Sequence, residues 1–124
     1  MCLTTVDREE VGEIVAYKVF DGTNLPKDCF SGLYYDINGN HYINKRGCYK
    51  TGVKYEAMRN RIGDCPYVSG FHAYLDEDDA KRGLEGTWNA NLSIQRVKLS
   101  GRLTFGKNGY DAVSGEFMEI LEGD

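Results

Sequence analysis

A chain of 124 residues with 41% hydrophobic and 27% charged side chains has the composition of one globular domain, spanning 1–124, and not of a disordered or fibrous chain. Fifteen Lys and Arg against 19 Asp and Glu give a formal charge of -4, which argues against the broad cationic surface of a generic nucleic-acid binder. No apolar run approaches the roughly 20 residues that span a bilayer, and Met1 to Glu10 lacks a secretion-signal pattern, so a cytoplasmic protein with no membrane partner is expected.

In chain order, Glu13 to Phe20 is rich in β-branched and aromatic residues and ends at Asp21-Gly22, which predicts the first strand. Asn38-Gly39 between Leu33–Ile37 and Asn40–Asn44 predicts a hairpin, because Asn-Gly readily takes the positive φ angles of a tight turn. Lys50 to Ile62 reads as an extended segment with irregular ends, and Val68 to Leu75 as a strand entering the core. Asp76 then caps a short helix whose acidic first turn, Lys81-Arg82 ending and Gly83 stop suit the helix dipole.

Beyond Asn91 the pattern changes phase. Leu92 and Ile94 have one parity and Val97, Leu99, Leu103 and Phe105 the other, which predicts a bulge near Gln95-Arg96 and two strands meeting around Ser100-Gly101. Phe117 to Leu121 follows the turn residues Lys107-Asn108-Gly109 as a last strand. The fold class expected is α+β: one small domain with a curved, mainly antiparallel sheet and one or two short helices.

Cys2, Cys29, Cys48 and Cys65 are widely spaced and form no CxxC pair, so free thiols without metal are expected; a Cys29, Cys48, Cys65 and His72 zinc site lacks the usual close ligand pairs. Cys2 would be an amino-terminal thiol after removal of Met1, but Leu3 stands where N-terminal nucleophile families carry glycine. Asp76 to Asp79 lacks the ligand spacing of a calcium loop. No cofactor is implied.

Two candidate sites emerge. Tyrosines crowd the middle third beside Lys and Arg, and Tyr42, Lys45, Arg46, Tyr49, Lys54, Tyr55, Arg59 and Arg61 form a locally basic, aromatic segment suited to contact with an acidic protein surface or a nucleotide phosphate. The second is a cleft: His72 and Tyr74 share one strand face by alternation, and Tyr17 with Glu116 (or Glu119) would complete it. Such a layout resembles small ADP-ribosyltransferase-like domains, with a late glutamate beside the reacting ribose, although Tyr17-Lys18 stands where those carry Arg or His. That departure favours nucleotide binding over turnover.

The start Met1-Cys2-Leu3-Thr4-Thr5, the strand Ala16-Tyr17-Lys18-Val19, and Gly70-Phe71-His72-Ala73-Tyr74 with Asp79-Ala80 resemble small uncharacterised bacteriophage and mobile-element proteins. The resemblance spans most of the chain but not Cys29 to Asp64. It implies a phage-type antagonist of host defence acting in a bacterial cytoplasm. With no complete catalytic set in the sequence, the expectation is a non-enzymatic inhibitor that occludes a surface of a bacterial host protein or complex, for example a CRISPR nuclease complex. The alternatives are a nucleotide binder and a transferase-like enzyme.

Overall fold

The computed structural model describes residues 3–21, 29–32, 48–57, 70–84 and 92–122. Among them, seven strands form one sheet: β1 (Thr5–Asp21), β2 (Cys29–Gly32), β3 (Cys48–Lys50), β4 (Lys54–Glu56), β5 (Phe71–Tyr74), β6 (Leu92–Asn108) and β7 (Tyr110–Ile120). One eight-residue helix, α1 (Glu77–Leu84), stands between β5 and β6. The class is mainly β rather than the expected α+β. The antiparallel sheet and short helix are as expected, but a two-turn helix covers only part of one sheet face.

The pairing closes on itself. β1 pairs β6, β6 pairs β7, β7 pairs β5, and β5 returns to β1 through Tyr74 and Tyr17. Following the register from Tyr17 through Tyr74, Ala112 and Gly106 leads back to β1 at Val6 instead of Tyr17. That offset is the shear of a barrel, and a large shear over few strands requires steep strand tilt. It also explains why β1 and β6 are each 17 residues long: a strongly tilted strand travels far to cross a small barrel.

The interior is set by alternation. Ala16 and Phe20 on β1, Phe71 and Ala73 on β5, Val97, Leu99, Leu103 and Phe105 on β6, and Val113, Met118 and Ile120 on β7 form one buried cluster with Tyr49 and Ala57. Burying each of the larger side chains contributes about 1.5–3 kcal/mol before conformational entropy is counted. Tyr49 meets Tyr55 and Phe71 edge to face at 4.9 and 5.9 Å, the geometry that aromatic quadrupoles favour.

A close approach fixes Gly115. A Cβ there would lie 2.9 Å from the Leu99 Cβ and 3.2 Å from Leu103 Cδ2, so hydrogen alone lets β7 cross this part of the core. Gly101 has φ +84° at the register shift between β6 and β7, where β6 carries the extra residue and the Arg102 N–H turns to the Glu116 carboxylate at 2.8 Å.

Several sequence expectations change in detail. β1 begins at Thr5, eight residues before Glu13, because β6 provides a ladder partner for the polar stretch as well as the apolar one. No bulge occurs at Gln95-Arg96: β6 is one strand, in unbroken register with β1 from Leu92 to Phe105. The two parities reflect two buried faces, with Val97 and Leu99 inside the barrel and Ile94 outside, packed beneath α1. The last strand starts at Tyr110, right after Gly109 at the hairpin tip. The Leu33 to Asn44 hairpin lies outside the described residues.

The helix forms after its Asp76 cap as the sequence predicts, but it runs through the expected Gly83 stop to Leu84. Asp76 Oδ1 accepts the Asp78 N–H at 2.8 Å, and Lys81 and Arg82 pair back to Glu77 and Asp79 at 3.8 and 3.2 Å. Its buried anchor is Ala80, which packs with Leu3, Tyr74 and Ala112 on the outside of the barrel, against Tyr17 and Ile94.

Candidate functional site

Tyr17 and Tyr74 are directly opposed across β1 and β5, and His72 lies two positions along β5 on the same face, so alternation does bring these three expected residues together. They do not line an open cleft. His72 is 1% and Tyr74 6% exposed, and Tyr74 is packed beneath Leu3 and Ala80. Glu116 is turned to the opposite edge of β7, where its carboxylate accepts the Arg102 backbone N–H of the bulge. Glu119 lies on the outer face between Lys98 and Lys54.

Below this face, inside the barrel, sits a residue the sequence reading passed over. Lys18 shares the inward parity of Ala16 and Phe20, is 2% exposed, and donates from Nζ to the His72 carbonyl oxygen at 2.7 Å. The ammonium thereby crosses the seam where β1 leaves β5 after Tyr17 and goes on to pair β2. Burial pulls the Lys18 pKa down from 10.5 to about 7 through the loss of hydration, and among the described residues no buried carboxylate offsets it. Burial, and then the charge of Lys18, also hold the His72 imidazole well below its ordinary 6.5, so it is neutral at physiological pH. The signal was available in the alternation Ala16, Lys18, Phe20; a lysine in a strand is ordinarily read as solvent-facing.

Of the basic, tyrosine-rich segment, Tyr49, Lys54 and Tyr55 are described, and Tyr42, Lys45, Arg46, Arg59 and Arg61 lie outside the described residues. Tyr49 does not belong to a contact surface: it is 2% exposed and fills the barrel core, because aromatic area is worth more buried than solvated. Tyr55 is half-buried against that core, and its hydroxyl accepts the Lys50 N–H at 2.8 Å. Lys54 is exposed, its ammonium 4.6 Å from the centre of the Phe117 ring.

Lys54 belongs to a larger open surface. Cross-strand register on the outer side of β1, β6, β7 and β4 places Val15, Lys98, Glu119 and Lys54 in one row, with Glu13, Ser100, Phe117 and Glu56 in the next. Val11 stands opposite Arg102 beyond them. Val11 is 85% and Val15 45% exposed, whereas α1 covers the part of the same outer side that carries Tyr17 and Ile94. Lys98 reaches Glu13 at 3.9 Å; the first row mixes an apolar residue with charges of both signs, and the second sets Phe117 between Ser100 and Glu56 with Glu13 at its end. Beside Val11 and Arg102, Glu9 and Glu10 complete a shallow depression of about 230 Å3.

Among the described residues no group of three His, Cys, Asp or Glu side chains converges as metal ligands would, and no helix is long and apolar enough to cross a membrane. No protein-family model, curated protein or solved structure matches this chain.

Proposed function

We propose that this protein is a non-enzymatic binding domain that acts by covering a functional surface of another protein, with the open outer face of β1, β6, β7 and β4 as its contact surface. The observation that carries this reading is the pair of rows at Val15 and Phe117, with Val11 beyond them. They place the exposed Val11 and Val15 and the half-buried Phe117 among Lys98, Lys54, Glu13 and Glu119 on an outer side whose other part, at Tyr17 and Ile94, α1 covers. An apolar centre with a charged rim is the composition of protein interfaces, and charges of both signs favour a protein partner over a polyanion. The resemblance to phage and mobile-element proteins makes a bacterial defence complex, such as a CRISPR nuclease complex, the partner class we propose.

The test compares two charge-altered proteins in capture from a bacterial lysate and in protection of phage from the defence system. Val15→Asp with Lys98→Glu should abolish both while leaving thermal unfolding in place. Arg59→Glu with Arg61→Glu, in the basic segment, should retain them. Loss of binding only in the second protein would move the interface to that segment. Binding unaltered in both would remove the two surfaces together.

A further inference from the structure

Among the described residues, β1 along Thr5 to Val15 is bonded on one edge only, to β6; the other edge acquires partners first at Tyr17, from β5, and then at Phe20 and Asp21, from β2. Residues 4–13 are all solvent-exposed, and a Cβ on Gly12 would meet nothing within 4 Å. The stretch is thus a long strand edge presenting backbone N–H and C=O groups to solvent, a template onto which another extended chain can add.

The charges on this edge select what can add to it. Asp7, Glu9, Glu10 and Glu13 share this stretch of β1 with one cation, Arg8, which already bonds Glu10 at 3.0 Å and lies 4.1 Å over the Phe105 ring. From β6, Lys98 reaches Glu13 at 3.9 Å and Arg102 lies beside Glu9 and Glu10, leaving the stretch net acidic. A second copy would bring the same acidic strand alongside, which like-charge repulsion disfavours. A strand carrying Lys or Arg at alternate positions meets the opposite condition. Its cationic side chains, on the outer face, would meet Glu9 and Glu13 beside the depression that Glu9, Glu10, Val11 and Arg102 form, and its alternate, apolar ones would lie on the other face toward Gly12 and Ile14.

We propose that the Thr5–Val15 edge of β1 is a β-augmentation site for an extended, Lys- or Arg-rich segment of a partner protein. This rests on the binding reading above and adds to it a backbone pairing mode and a partner chemistry.

The probe is an acetylated, amidated peptide of about ten residues alternating Lys and Val, compared with its Glu-Val counterpart and with a version N-methylated at alternate residues on one edge. Titrated into 15N-labelled full-length protein, the Lys-Val peptide should perturb and protect amides of residues 5–15. It should bind at least tenfold more tightly than the Glu-Val peptide, with affinity falling as salt is raised. N-methylation on the pairing edge should abolish binding, and Glu9→Lys with Glu13→Lys should invert the preference between Lys-Val and Glu-Val. Equal affinity for the two peptides, binding that survives N-methylation of either edge, or shifts outside β1 would overturn the proposal. So would slow exchange of the outward amides of residues 5–15 in the free protein, since a segment of the chain itself would then hold the edge. If the peptide fails while Val15→Asp with Lys98→Glu still abolishes partner capture, the edge pairing falls and the binding face stands.

Discussion

Replacing Lys18 by Met should change stability with a sign that depends on pH. The side chain is buried inside the barrel with its ammonium on the His72 carbonyl, and burial lowers its pKa from 10.5 to about 7. At about 1.4 kcal/mol per unit, that shift corresponds to on the order of 5 kcal/mol held against the folded state when the lysine is charged in both states, below pH 7. Between pH 7 and 10.5 the unfolded chain binds the proton and the folded one does not, so stability rises with pH through this window and the cost is relieved. Met keeps the length and apolar body of the side chain, removes the charge, and leaves the His72 carbonyl without this donor, a loss of about 1–3 kcal/mol. The variant should therefore be more stable than wild type at pH 6.5, by roughly 2 kcal/mol. That advantage should shrink by roughly 2–3 kcal/mol on going to pH 9. Urea unfolding of both proteins at several pH values and fixed ionic strength measures the difference directly. Parallel stability curves, with a gap that does not vary with pH, would refute the assignment of Lys18 as a buried, desolvated amine.

The neutral, buried His72 predicts the acid limb: below about pH 6.5 the unfolded chain takes up a proton the folded imidazole refuses, so stability falls. His72→Gln should flatten that limb in the same unfolding series. Gly115→Ala should cost about 1–3 kcal/mol in urea unfolding, because the new methyl meets Leu99 at 2.9 Å with no room to withdraw. Ala80→Leu should lower the melting temperature by overpacking the only fully buried helix position described, and hydrogen exchange should localise the loosening to α1 and the face beneath it.

Much of this architecture is legible in the sequence where one physical rule acts alone. The first strand, the capped helix after Asp76 and the curved antiparallel sheet follow from alternation, capping and turn chemistry. The polar half of β1 is harder to see: Thr5 to Glu13 carries no apolar alternation, and only the ladder to β6 makes it a strand. The phase change around Ile94 and Val97 is plain in the sequence, but a second buried face produces the same pattern as a bulge, and α1 decides between them. The shared face of Tyr17, His72 and Tyr74 is correctly read from parity, yet the cover provided by Leu3 and Ala80 is a tertiary fact. Tyr49 and Lys18 show the converse. Closure of the barrel takes a tyrosine from a basic segment, and an isolated lysine, into the interior, which local composition does not foretell.

The most direct test of the binding reading is a hydrogen-exchange footprint of the protein in complex with the partner it captures. Protection gained along Val11–Val15, Lys98–Arg102 and Phe117–Glu119, on the outer rows of β1, β6 and β7, is the result this account predicts. Protection confined to α1, or to the basic segment around Arg59 and Arg61, with those rows exchanging as in the free protein, would contradict it.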